Sequence, residues 1–353
     1  MGMVDEPIEL GKLRVRNRIV RSATHSFLGS PDGMVTPAER EMYDTLSKNG
    51  VGLIVTGHCC VARGGRANEE QINVYDDSAI AGLKSVADLV HVNGAAFVVQ
   101  LSHAGPRAID TDDYADVTAR ALKKGRTARM LTTGEIHDIE RHFVDAAARV
   151  KAAGADGVQL HAAHSYLLSR FIDPTFNTRD DEYGGNRENR FRIVAEIVSG
   201  IHEKCGDDFP VLLKINNDTK TNDDAYEDDM RYMLGEAKRL GVTLVELSGV
   251  DFLNLPRDAR VYYLDRAKRL RHDVDMPLSL VGGVRSLGDM ERVLAAGIDM
   301  VSMSRPFVCE PDIITRLKNG QEKSNCLSCN RCFVIAHLHP GMRCIRQRKL
   351  HKK

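Results

Sequence analysis

DGVQLHAAHSYLLSRFIDPTFNTRDDEYGGNRENR, residues 156–190, opens as a short apolar strand and turns at once into a dense polar run. Residues 155–160 read as a buried strand, and His161, His164 and Tyr166 follow where a parallel barrel displays its reactive side chains. A lone histidine is most often a satisfied structural residue. Two imidazoles three apart, with a phenol two further on, form a constellation for hydrogen bonding and proton transfer instead.

Outward from this stretch, apolar runs alternate with amphipathic helical patterns from near Asn17 to Val308, the rhythm of repeated βα units. Strands are expected at 18–22, 52–56, 96–101, 157–160, 211–215, 244–247, 277–281 and 300–303. Eight is the strand count of a TIM (β/α)8 barrel. Between them lie patterns such as 133–153, with Thr132 or Thr133 as N-cap, Glu135 in the first turn and Gly154 at the end. The composition breaks near 318–324, which divides the chain into a barrel over 1–317 and a short cysteine-rich C-terminal extension over 318–353.

The chain has 353 residues, ample for a core without disulfide staples. Lys plus Arg and Asp plus Glu both number 49, so the net charge is 0 and nucleic acid is not an expected partner. No apolar window approaches the roughly 18 residues of a membrane span, and the N-terminus lacks a basic, then apolar, leader. A cytoplasmic protein is therefore expected, with oligomeric state left open, a homo-oligomer included. Of eight cysteines, Cys326, Cys329, Cys332 and Cys344 fall within 19 residues in the spacing C-x2-C-x2-C-x11-C. That crowding argues for a metal site rather than secretory disulfides, and thiolates suit iron-sulfur clusters or zinc.

The His161-x-x-His164-x-Tyr166 element, followed by Asn177, Arg179, Asp181, Tyr183, Gly184, Gly185, Asn186, Glu188, Asn189 and Arg190, resembles the Old Yellow Enzyme family of flavin mononucleotide (FMN) oxidoreductases. Asn186 stands where serine is usual. The resemblance implies an FMN site at the barrel mouth. Ser22, Ala23 and Thr24 would lie along the flavin, and His25 would face its edge as in the 2,4-dienoyl-CoA reductase branch. Gly57 would allow close backbone approach to a planar ligand. Gln100, in VVQLSHAGPR, would pair its amide with the pyrimidine edge. Lys214 stands where relatives commonly carry arginine, and would stabilise the reduced flavin as a point charge. Gly282, Gly283, Ser304 and Arg305 lie in the last two βα turns, the usual phosphate site of barrels. His103 reads as structural. The basic run Arg120, Lys123, Lys124, Arg126 and Arg129 reads as solvated surface in preference to a landing site for an acidic substrate.

The tail motif is similar to that of 2,4-dienoyl-CoA reductase and trimethylamine dehydrogenase, which implies a [4Fe-4S] cluster in preference to structural zinc. Those relatives continue into a further flavin domain, whereas this sequence ends at Lys353, so NAD(P)H or a protein donor is the expected electron source. Together these features point to reduction of an α,β-unsaturated carbonyl or enoyl thioester. FMN would give hydride, Tyr166 the proton, and His161 and His164 would bind the carbonyl oxygen. The alternatives are an amine dehydrogenase passing electrons out through the cluster, or a non-catalytic electron-transfer flavoprotein. With no Trp and only 5% aromatic residues, an aromatic cage for a cationic amine is disfavoured.

Overall fold

The computed structural model describes residues 2–219, 224–250, 252, 254–336, 338 and 340–346. Its centre is a closed barrel of eight parallel strands: β1 (Ile19–Arg21), β2 (Leu53–Val55), β3 (Ala96–Ser102), β4 (Gly157–Ala162), β5 (Val211–Asn216), β6 (Leu244–Ser248), β7 (Leu278–Val281) and β8 (Met300–Met303). Each pairs with the next, β8 pairs with β1, and the expected TIM barrel is thus present. Strand positions agree with the sequence reading to within two residues. Strands buried on both faces must be apolar almost throughout, so their sequence signal is strong.

Helices α1 (Pro37–Lys48), α2 (Ala79–Val92), α3 (Thr133–Ala152), α4 (Arg187–Cys205), α5 (Asp224–Arg239), α6 (Leu264–Asp273), α7 (Leu287–Ala295) and α8 (Ile313–Lys318) follow the strands in turn. The start of α3 is fixed by a capping box. Thr132 Oγ1 accepts from the Glu135 N–H at 3.3 Å, and Glu135 accepts from the Thr132 N–H at 2.8 Å, the reciprocal satisfaction expected of Thr-x-x-Glu. Gly154, just beyond the helix, has φ +78°. Phe143, Ala146, Ala147 and Val150 bury the inner face of α3.

Two features lie outside the sequence reading. An antiparallel hairpin, Ile8–Leu10 with Leu13–Val15, packs Leu10, Leu13 and Val15 among Val20, Leu53, Ala96, Val98, Leu212, Leu244 and Met300. These residues come from the N-terminal ends of the strands, so the hairpin plugs the bottom of the barrel. Segment 109–130, expected as a loop, carries three short strands instead, Ala115–Asp116, Arg120–Ala121 and Thr127–Met130. Buried Asp116 anchors them. It accepts from Arg170 Nε at 2.7 Å and pairs with Arg120 at 2.9 Å. No helix among the described residues is long and apolar enough to cross a membrane.

Candidate active site

A cavity of ≈ 470 Å³ opens at the C-terminal ends of the strands, the end where barrels of this kind carry out their chemistry. Of the residues singled out from sequence, Ser22, Ala23, Thr24, His25, Gln100, His161, His164, Tyr166, Lys214, Gly282, Gly283, Ser304 and Arg305 all line it. Gly57 does not. A Cβ there would meet the His25 Cα and Thr24 oxygen, both at 3.1 Å, so this glycine admits the neighbouring backbone rather than a ligand.

At one end of the cavity stand the aromatic polar groups. The His161 ring lies 4.7 Å from that of Tyr166 and 5.3 Å from that of His164, centroid to centroid. His164 and Ser165 adopt left-handed backbone (φ +59° and +58°), an unfavourable conformation for residues with a Cβ that is found disproportionately at functional sites. It is held by the His164 N–H donating to Asn216 Oδ1 at 3.2 Å and by the His164 carbonyl accepting from Arg107 at 3.1 Å. The His164 ring meets Ser248 Oγ at 2.8 Å. Nδ1 of buried His161 has no hydrogen-bond partner within the protein.

His58 completes this end, and sequence reasoning left it without a role. The Ala67 N–H donates to Gln71 Oε1 at 2.6 Å, which turns the Gln71 amide NH2 toward His58 Nδ1 at 2.8 Å. Nδ1 therefore accepts, so a neutral His58 carries its proton on Nε2, 3.1 Å from the Tyr166 oxygen. His25 stacks on the other face of His58 at 4.8 Å and pairs with Asn68 Oδ1 at 2.7 Å.

Burial decides the protonation of this group. It lowers His58 to about 4 and pushes His161 and His164 well below the usual imidazole range, with neighbouring imidazoles and the cations Lys214 and Arg107 adding to the effect for the latter two. All three are neutral hydrogen-bonding groups at neutral pH. Burial raises the Tyr166 phenol, partly offset by Arg107, so it holds its proton.

The barrel interior carries a polar chain. Gln100 donates to Gln159 at 2.7 Å, and Gln159 donates to Glu246 at 3.0 Å. Ser22 also donates to Glu246, and Lys214 reaches Ser22 Oγ at 2.8 Å and Glu246 at 3.3 Å. Lys214 is thus already paired with a buried carboxylate, a partner the sequence could not reveal.

At the opposite end, Gly282 and Gly283 have φ +143° and +73°, and a Cβ on Gly283 would meet the Val261 nitrogen at 2.6 Å and the Tyr262 ring at 2.8 Å. Arg305 donates to Tyr262 Oη at 2.8 Å and Asn330 Oδ1 at 2.6 Å, and Thr24 and Ser304 share a hydrogen bond at 2.7 Å. Hydroxyls, glycine backbone and Arg305 together fit a phosphate. Ser328 and Phe333 of the tail also line the cavity, and Arg285 donates to Ser328 Oγ at 2.9 Å.

Cys326, Cys329, Cys332 and Cys344 line one small cavity behind Arg305. As placed, no three metal-ligating side chains among the described residues form a set able to hold an ion, and Cys344 is hydrogen-bonded to Cys309, whose thiol is raised by that bond and by burial.

The second half of the opening motif does not reach the cavity. Asn177 donates to the Phe171 and Tyr183 carbonyls, both at 2.7 Å, and Arg179 to the Val117 and Leu131 carbonyls at 3.0 and 2.7 Å. It is a buckle that ties the 109–130 segment to the barrel. The arginines of the basic run are likewise held by neighbouring side chains. Arg129 pairs with Asp113 and Glu135, Arg120 with Asp116, and Arg126 donates to Tyr114. His103 accepts from the Gly105 N–H at 3.0 Å and stays outside the cavity.

Residues 4–324 match the family described as NADH:flavin oxidoreductase / NADH oxidase. The chain is 30% identical to an NADH oxidase of Thermoanaerobacter brockii, over 91% of this chain and 52% of the relative. It is 30% identical to an NADPH dehydrogenase of Geobacillus sp. (strain WCH70), over 88% of this chain and 92% of the relative. It therefore spans about half of some curated relatives and nearly all of others. Among solved structures, 2-naphthoyl-CoA reductase with 2-naphthoyl-CoA superposes at TM-score 0.88, with 24% identity, over 97% of this chain and 56% of that one. Morphinone reductase with tetrahydroNAD superposes at 0.77, with 25% identity, over 93% and 94%. The barrel, the cavity at its mouth and the matched span agree: the chain belongs to the NADH:flavin oxidoreductase / NADH oxidase family, an oxidoreductase family that includes the Old Yellow Enzyme relatives its motifs resemble.

Proposed function

We propose that this chain is an FMN-dependent NAD(P)H oxidoreductase that reduces the C=C bond of an α,β-unsaturated carbonyl compound or enoyl thioester. The observation that carries the proposal is the convergence of neutral His161, neutral His164 and protonated Tyr166 on one cavity wall. The residues present fit FMN. Ser22, Ala23 and Thr24 would hold one side, Gln100 and Lys214 the pyrimidine edge, and Gly282, Gly283, Ser304 and Arg305 the phosphate. Bound FMN would supply hydride, from its N5, to the β-carbon of the substrate.

His161 and His164 bind the carbonyl oxygen and stabilise the negative charge that grows there. One such donor is typically worth about 100- to 1000-fold in rate. Tyr166 gives its proton to the α-carbon. Its oxygen accepts from His58 Nε2–H, so its own O–H is left to point into the cavity. The absence of a carboxylate among the described lining residues weakens the alternative of oxidising a cationic amine, since such a substrate would meet Arg107 and no balancing anion.

On the tail motif and the shared small cavity we also propose that the four cysteines of 318–353 hold an iron-sulfur centre. No step above passes through it.

The test is anaerobic reduction of the FMN-loaded protein followed by mixing with enones and enoyl thioesters. Rapid reoxidation is expected, and Tyr166→Phe should slow it at least about 100-fold while leaving flavin content and reduction by NAD(P)H intact. Equal reoxidation by the variant would remove Tyr166 from its role. Failure of every enone and thioester would return the chain to the electron-transfer reading.

A further inference from the structure

Four cationic side chains line the cavity, Arg107, Lys214, Arg285 and Arg305, and among the described residues no carboxylate does. Three of the four are accounted for. Lys214 is paired with Glu246 just behind the wall. Arg305 and Arg285 stand with Tyr262 and Ser328 at the end assigned to the phosphate, where a dianion would take up their charge.

Arg107 is left over. It stands at the other end of the cavity, with its guanidinium 5.7 Å from the centroid of the Tyr166 ring. One of its N–H groups donates to the His164 carbonyl, and no ion pair is formed with any described carboxylate. Arg170, whose charge also bears on Arg107, is itself occupied by Asp116. The guanidinium is a planar fork suited to two parallel hydrogen bonds with a carboxylate, and one N–H pair is already steered by the His164 contact. Arg107 lines the cavity while still exposed to solvent, and a cation placed there, without an ion pair to a described carboxylate, favours an anion on the ligand.

We infer that Arg107 anchors a carboxylate carried by the substrate, a few bonds from the reacting alkene, so that the acceptor is an unsaturated carbonyl compound that is also an acid. The inference rests on the ene-reductase reading above and narrows its substrate class. It places the acidic-substrate contact not in the run at 120–129, read from the sequence as solvated surface, but at a residue whose sequence context, HAGPR, gave no sign of it.

The experiment compares 4-oxo-2-pentenoate with its methyl ester, which share one carbon skeleton and differ in charge. In the FMN-loaded protein, kcat/KM should favour the acid, and the preference should shrink as salt is raised. Arg107→Gln should lower the acid-to-ester ratio roughly tenfold or more, chiefly through the KM of the acid, and Arg107→Lys should retain part of it. A calorimetric titration of the oxidised protein with 4-oxopentanoate and its methyl ester reads the same preference without turnover. Several outcomes overturn the inference: no acid preference in the unaltered protein, an equal loss for both compounds in the variant, or a rise in the KM of NADPH but not of the acid, which would assign the anion to the phosphate of the nicotinamide donor. Reduction of the ester without acid preference leaves the ene-reductase reading standing. Reduction of neither compound, while other enones also fail, counts against both.

Discussion

The oxygen of Tyr166 and Nε2 of His58 lie 3.1 Å apart, and the direction of that hydrogen bond is fixed from behind by Gln71, whose amide is itself oriented by the Ala67 N–H. The imidazole donates, and the phenol accepts. In the proposed reaction, as Tyr166 surrenders its proton, the same contact would stabilise the phenolate that forms, and His58 would act as a positioning residue through Tyr166.

His58→Ala should slow enone-dependent reoxidation of the flavin by about 10- to 100-fold, since a hydrogen bond to a charged group is worth about 1.5–3 kcal/mol. Reduction by NAD(P)H should change little. Gln71→Glu, which places an acceptor where a donor stands, should move the His58 proton to Nδ1 and give a similar loss; a Gln71→Glu protein with unaltered reoxidation would rule out the assigned tautomer.

Acid should destabilise the protein through its buried histidines. Burial lowers both His58 and His103 to about 4, against 6.5 for an exposed imidazole. Between those values the unfolded chain binds more protons than the folded one, so stability is full above pH 6.5 and falls as pH drops toward 4. Each group contributes on the order of 3 kcal/mol across that window. Thermal unfolding followed from pH 7 to 4.5 should show Tm falling steadily, and His103→Gln should flatten the slope. An identical slope in that variant would show that His103 is not the group titrating.

Sequence legibility followed contiguity. His161, His164 and Tyr166 could be read because six residues at one strand end hold all three. His58 and Gln71 could not, because His58 meets Tyr166 across 108 positions of chain and Gln71 meets His58 across 13. Lys214 was visible as a departure from arginine, but Glu246, which neutralises it, comes from the neighbouring strand in a register only the folded sheet reveals. Strands were legible because they are apolar on both faces. The bottom hairpin was not, its arms being three residues each. The Asn177 to Arg190 signature was the easiest feature to recognise and the most misleading about location, since its side chains satisfy backbone carbonyls rather than a ligand.

That structural role is testable. Arg179 is buried, and its side chain donates to two carbonyls, Val117 within the 109–130 segment and Leu131 just after it. Arg179→Ala leaves both unpaired, at about 1–3 kcal/mol each. Tm should fall by several degrees, and protease should cut first within 109–130. A variant with native Tm would show that the segment is held by Asp116 and Arg170 instead.

The cysteine tail calls for a direct measurement. Protein purified without oxygen should contain iron and sulfide in equal amounts, and Cys326→Ala or Cys332→Ala should abolish both while flavin content stays the same. Zinc in their place, or no metal at all, would refute the iron-sulfur assignment and leave the barrel chemistry untouched.

The plugged base of the barrel bears on kinetics. With Leu10, Leu13 and Val15 closing the far end, the proposed electron donor and acceptor would both have to approach from the mouth of the barrel. On that reading the oxidised donor would leave before the acceptor enters, and the two reactants would take turns. Double-reciprocal plots at several fixed donor concentrations would then be parallel, and an excess of either reactant would inhibit by occupying the mouth out of turn.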